Sequence, residues 1–186
     1  MAKSASPRRV AVALIIHRPK PQDTPHFLIV SSRKHADRWV LPKGGIESSG
    51  GSSESGVESA EEAARREAWE EGKAFSQRLH GGRAGLIQSS SIHLSHLVVL
   101  PDQKPHKASP SQDPSESGFI RSTMYSFELF SVMSMGSTVL AEEWPEKHER
   151  KRRWVQGWSE LEEVLCWGRR DDVMREALGL AKAKLG

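Results

Sequence analysis

Cysteine occurs once in the 186 residues, at Cys166, so no disulfide can form within the chain. A reducing compartment, cytoplasmic or also nuclear, is the expectation. Long apolar runs are missing too: the longest, VAVALII at 10–16, has seven residues, against about 20 for a bilayer-spanning helix. No membrane partner is therefore expected. The opening MAKSASPRR is basic but lacks the apolar centre of a secretory signal, and it is short for a transit peptide. Neither sign of charge dominates. The 27 Lys and Arg against 24 Asp and Glu leave +3, too little to argue for nucleic acid. His17, His26, His93, His96 and Cys166 are scattered with no zinc-like spacing. The length suits one domain with a respectable core.

Along the chain, VAVALII reads as a buried strand and FLIVS at 27–31 as a second, joined by the proline-rich RPKPQDTP into a hairpin. Residues 39–41 form a short strand fragment, and Gly44-Gly45 begins a turn. SSGGSSESG follows with no apolar residue, a flexible insert near 48–56. Ser59 and Glu62 have capping-box spacing at the start of AEEAARREAWEE, a strong helix. Strand material returns at 86–88, 92–100 and 124–133 and at a strand end near 155–157. The proline- and serine-rich stretch 101–118 is long enough to be a lid or disordered. A second capping-box pair, Ser159 and Glu162, starts another helix, and a last one runs from about Asp171 to Lys184. Trp144 and Trp158 are expected in the core, with Trp39 and Trp154 packed beneath a site. Strands with helices placed irregularly among them indicate a mixed α/β (α+β) domain rather than regular βαβ units. A single domain over residues 1–186 is expected.

The chemistry concentrates in ESAEEAARREAWEE at 58–71. At 100° per residue, Glu67, Glu70 and Glu71 fall within a sector of roughly 100° on one helix flank, beside the small side chains Ala60, Ala63, Ala64 and Ala68. Carboxylates crowded beside a close-packed face repel one another unless a hard cation such as Mg²⁺ or Mn²⁺ sits between them. The alternative is a solvated face in which Glu62/Arg66 and Arg66/Glu70 form i,i+4 pairs worth a few tenths of a kcal/mol, about 0.2–0.5 each.

With its surroundings this segment resembles the Nudix hydrolases. LPKGGIE at 41–47 matches the opening of their signature, and Glu58, followed seven residues later by Arg66-Glu67-Ala68-Trp69-Glu70-Glu71, matches its helix. Two departures stand out: the loop from Gly44 to Glu58 is eight residues longer than the pattern, and Lys73 stands where the pattern has Gly, with Gly72 one position early. The resemblance implies a Nudix fold, a mixed β-sheet sandwiched between helices (α/β/α). It implies hydrolysis of a diphosphate linked to some moiety X, with Mg²⁺, or Mn²⁺, as cofactor. The catalytic metal ligands carried over are Glu67, Glu70 and Glu71, joined by the backbone carbonyl of Gly45. One of the carboxylates also helps deprotonate the attacking water, and Arg66 holds Glu58 and the helix in place.

Within the family, RRVAVALII with FLIVSSRKHADRWVLPKGG, EEWPEKHERKRRWV and SELEEVL resemble the diphosphoinositol polyphosphate phosphohydrolases, which also hydrolyse diadenosine polyphosphates. By family position Ser32, Lys34, Arg38, Arg150 and Arg152 bind substrate phosphates, with Arg8, Arg9, Lys151, Arg121 and Arg169 as weaker candidates. His35 and His148 also lie inside basic clusters. The charge distribution supports this independently: residues 58–71 sum to −4, whereas residues 1–20 carry five cations and no acid, and residues 146–153 sum to +3. Arg and Lys would supply charge-assisted bonds to the phosphates that do not react. The alternatives are a hydrolase of dinucleoside tetraphosphates or of the mRNA cap, and a Nudix domain kept as a non-catalytic sensor. The expected partner is a small-molecule polyphosphate, with capped RNA the one nucleic acid admitted.

Overall fold

The computed structural model of the chain describes residues 6–48, 56–72, 74, 91–132 and 145–186. Its centre is the strand β1 (Arg8–His17), whose side chains alternate in size. Val10, Val12, Leu14 and Ile16 point to one face of the sheet, and Ala11, Ala13 and Ile15 to the other. The period of two thus sorts large residues from small ones across the sheet. Helix α1 (Ala60–Gly72) lies on the small face, with Ala63, Ala64 and Ala68 fully buried against Ala11, Ala13, Leu28 and Phe130. On the large face, α2 (Gly157–Leu165) and α3 (Asp171–Leu185) bury Leu161, Leu165, Val173 and Leu178. The result is an α/β/α sandwich, as the sequence resemblance implies.

The remaining strands are β2 (His26–Ser31), β3 (Trp39–Val40), β4 (Lys43–Gly45), β5 (Ser91–Pro101), β6 (Thr123–Val132) and β7 (Arg152–Gln156). The sheet order is β3-β2-β1-β6-β5, with β4 on β1 and β7 on β2. β1 and β6 run parallel over their whole length, from Arg8↔Thr123 to His17↔Val132, and the other pairings are antiparallel, which makes the sheet mixed. Among the described residues, no helix is long and apolar enough to cross a membrane.

Three expectations change. The β1–β2 hairpin is paired only at Ile16↔Phe27 and His17↔His26. Beyond that point β2 pairs with β3 along the same edge and β4 takes the place beside Val10–Val12, which delivers Gly44 and Gly45 to the start of β1, while β7 lines the other edge of β2 from His26 to Val30. Helix α2 begins at Gly157 rather than Ser159. Gly157 adopts φ +75°, which turns β7 directly into the helix, and the Glu160 carboxylate accepts the Gln156 amide at 2.9 Å in place of the Ser159/Glu162 box. The 101–118 stretch is not featureless: Asp102, His106 and Ser122 make backbone bonds to Thr123, Ile120 and Lys104 at 2.7–2.9 Å, and Ser111 gathers Glu116 and Asp113. Trp158 packs on Phe27 with ring centroids 4.6 Å apart. The strand expected at 86–88, Trp144, Lys73 and most of the 48–56 insert lie outside the described residues.

Candidate active site

Helix α1 opens with the reciprocal box its sequence promises: Ser59 N–H donates to Glu62 Oε2 (2.9 Å) and Glu62 N–H to Ser59 Oγ (3.1 Å). One turn on, Arg66 organises the site. Its Nε and Nη2 donate to the two oxygens of buried Glu58 at 2.9 and 3.0 Å, Nη2 also reaches the Gly45 carbonyl at 2.9 Å, and Nη1 donates to Glu67 at 2.6 Å. The Glu58 bond first, and Glu67 after it, hold this guanidinium charged far beyond its usual range. Glu58 in turn accepts the Glu47 amide at 3.1 Å, so Arg66 ties helix, loop and β4 together. β4 presses against the helix so closely that a Cβ on Gly44 would overlap the Glu67 carboxylate. A side chain at this position would displace the carboxylate.

Glu71 is buried, with Oε1 paired to Arg150 and Oε2 accepting the Lys43 amide at 3.0 Å. Burial pushes its carboxyl up, against the pull of Arg150 and Lys43. Glu70 is also raised, by burial and by the neighbouring charge of Glu67. Lys43 is pushed down, chiefly by burial and then by Arg170 and Arg150. The groups that could hold a hard divalent cation are the carboxylates of Glu67, Glu70 and Glu71 with the Gly45 carbonyl. All are oxygen donors, and two of the carboxyls are raised, which a cation would relieve. Their chemistry fits. Among the described residues no three of these side chains converge on one point, because Arg66 draws Glu67 and Arg150 draws Glu71.

Beside this cluster opens a cleft of about 720 Å³. Its floor is the large-residue face of the sheet, with Val12, Tyr125 and Phe127 meeting Leu165 and Val173. Eight basic side chains line it: Arg8, Arg33, Lys34, Lys43, Lys104, Arg150, Arg169 and Arg170. No Asp or Glu does, among the described residues.

A NUDIX domain model matches residues 7–176 of the chain. The chain belongs to the Nudix family. Membership supports pyrophosphohydrolase chemistry, and Nudix hydrolases in general use divalent metal ions, typically Mg²⁺. No curated protein matches the chain by sequence. Among solved structures, a Caenorhabditis elegans Ap4A hydrolase is 15% identical, with a TM-score of 0.55 over 97% of this chain and 99% of that one. The NUDIX domain of Shewanella oneidensis NrtR, complexed with ADP ribose, is 10% identical, with a TM-score of 0.51 over 98% and 90%. At such identities the likeness is one of fold.

The Nudix box and the cleft meet at Lys43 and Arg150, which touch Glu71 and line the cleft together. Of the residues expected at phosphate, Ser32, Lys34 and Arg150 line the cleft, as do Arg8, Arg169 and His35. Arg38 stands outside it, its guanidinium 5.7 Å over the Trp167 ring. Arg152 is on the opposite face, donating to the Gly72 carbonyl at 2.8 Å at the end of α1. The cause is strand alternation: in β7 Arg152 and Trp154 share a face, opposite Val30 and Leu28 of β2, while Arg153 covers Trp39 at 4.7 Å. Trp154 packs with the cluster under α1, and Trp39 lines the cleft. Sequence reasoning gave no role to Lys104 or Arg170. The pair Arg169-Arg170 at the α2–α3 junction was the signal available for the last.

Proposed function

We propose that the chain is a Mg²⁺-dependent hydrolase of diphosphate bonds in diphosphoinositol polyphosphates and diadenosine polyphosphates. The observation that carries this reading is the cleft lined by eight cations and no acid, set beside the carboxylates of the Nudix box. In this reading Glu67, Glu70, Glu71 and the Gly45 carbonyl hold the cation, and Glu58 and Arg66 hold the helix that presents them. The cation, when bound, neutralises phosphate charge and lowers the pKa of bound water. Ser32, Lys34, Arg150 and Arg169 bind phosphates that do not react. Lys43 adds a positive charge at the junction between carboxylates and cleft. The aromatic walls favour phosphate over a stacked base. Trp39 carries the guanidinium of Arg153, Tyr125 that of Arg170 at 5.2 Å, and Trp167 that of Arg38, so the rings already serve as cation platforms.

A turnover panel with Mg²⁺ tests the proposal: diphosphoinositol pentakisphosphate, diadenosine hexaphosphate and tetraphosphate, capped RNA and ADP-ribose. The first two are expected to turn over with the highest kcat/KM. Cleavage of the tetraphosphate or cap alone overturns the substrate class, and no turnover at all favours the sensor reading.

A further inference from the structure

One acidic side chain outside the Nudix box is wholly buried among basic ones. Asp102 follows β5 at the head of the 101–122 excursion, with its side chain 0% exposed. Its amide donates to the Thr123 carbonyl at 2.9 Å, which fixes the backbone. Oδ2 accepts Arg169 Nη2 at 3.0 Å and faces Tyr125 Oη at 3.4 Å and Arg170 Nε at 3.8 Å. Oδ1 accepts the Lys104 amide at 3.1 Å and faces Arg169 Nε at 3.4 Å. Burial alone would raise this carboxyl, but the Arg169 bond, the Lys104 amide and the two arginine charges outweigh it and hold it low. The arginines are not consumed by the contact. Their side chains stay 51% and 39% exposed and line the cleft with Lys104.

We propose that Asp102 is a positioning residue for substrate recognition, holding Arg169 and Arg170 on the cleft wall where their outer faces bind phosphate groups that do not react. Asp102 itself touches no substrate. It removes freedom from two long side chains before binding, and it supplies one negative charge beneath two positive ones, so a net positive wall remains. Ordering two unpinned arginines at the moment of binding costs affinity on the order of tenfold. The inference rests on the reading of the cleft as a site for phosphate-dense substrates. It adds to that reading the residue that sets the wall.

The test measures binding of inorganic tripolyphosphate and of inositol hexakisphosphate to the full chain by calorimetry. The proteins are wild type, Asp102→Asn, the double variant Arg169→Gln/Arg170→Gln, and all three substitutions together. Asp102→Asn is expected to weaken both anions about tenfold, and the double variant at least as much. In the double-variant background Asp102→Asn is expected to add nothing, because its effect runs through the arginines. Wild-type affinity in Asp102→Asn overturns the proposal, and so does a loss that adds in full to the double variant. Should Asp102→Asn fail to fold, Arg169→Lys/Arg170→Lys decides. It keeps the charge but not the fork that grips a carboxylate, so a similar loss is expected and wild-type affinity overturns the proposal. A wild-type chain that binds both anions but hydrolyses no diphosphate removes the functional reading and leaves the Asp102 result standing. One that binds neither anion removes both.

Discussion

Glu71 and Asp102 are both buried carboxylates that grip arginines next to the cleft, yet their carboxyls are displaced in opposite directions. Asp102 is held low and Glu71 is pushed up. The difference lies in what surrounds them. Asp102 has the Arg169 fork, a second arginine, an amide and a tyrosine hydroxyl. Glu71 has one arginine, the amide and charge of Lys43, and the opposing negative charge of Glu67. Hydrogen bonds and counter-charge win over desolvation at Asp102 and lose to it at Glu71. One acid is satisfied and structural in character. The other is short of positive charge, the condition that favours taking up a cation.

The largest effect that separates them is on turnover. Glu71→Gln, or Glu67→Gln, is expected to lower kcat by about 100-fold to 1,000-fold or more, the scale of losing one preorganised electrostatic group, with the unfolding transition retained. Asp102→Asn is expected to act on KM instead. Steady-state kinetics of the two variants on one substrate checks this, and equal kcat values would erase the distinction. Next comes the geometry that holds Glu67. Gly44→Ala forces the carboxylate away from β4, so kcat is expected to fall at least about tenfold, since small displacements at a reacting centre are costly, while circular dichroism stays that of the wild type.

The acid limb of stability sharpens the contrast further. A carboxyl held below its unfolded value, about 3.9 for aspartate, contributes stability that is fully present above that value. The contribution is lost as pH falls through the lower folded pKa. The gap in unfolding free energy between wild type and Asp102→Asn is therefore expected to be constant above about pH 5 and to shrink below pH 4. Urea unfolding across that range measures it, and a gap that widens on acidification would contradict the sign. The smallest effect concerns the helix that carries Glu71 alone. Ser59→Ala removes the cap of α1 and is expected to cost about 1 kcal/mol, read as a shift in the urea midpoint with the slope unchanged.

The Glu71 side of this comparison was legible in the sequence because its determinants are local. Ser59 and Glu62, Glu58 and Arg66, and the three glutamates all fall within one stretch of helix, where spacing alone brings them together. The Asp102 side was not, because its partners Arg169 and Arg170 stand 67 and 68 residues downstream, on the turn between two helices. No spacing rule joins them. The run Arg150 to Arg153 shows a different limit. It reads as one basic cluster, yet the residues part company on entering a strand: Arg150 goes to Glu71, Arg152 to the end of α1 and Arg153 to Trp39. A mixed α/β domain was readable from patterning, and the sandwich only through the resemblance to the Nudix hydrolases. The short extent of the β1–β2 hairpin was not, because the edges that β1 and β2 would share are taken by β4 and β3, strands of three and two residues, too short for a periodic signal.

The parallel pairing of β1 with β6 bears on how the chain folds. Every partner in that ladder, at the centre of the sheet, is 115 residues from its mate. The central contact can form only after the intervening chain has been drawn together, so its reward comes late. Extra residues in that span, such as the eight added between Gly44 and Glu58, weigh little at equilibrium, since even doubling a loop costs only about 0.6 kcal/mol. The burden falls on rate: folding is expected on a timescale of about milliseconds to seconds, set by closure of the β1–β6 pair.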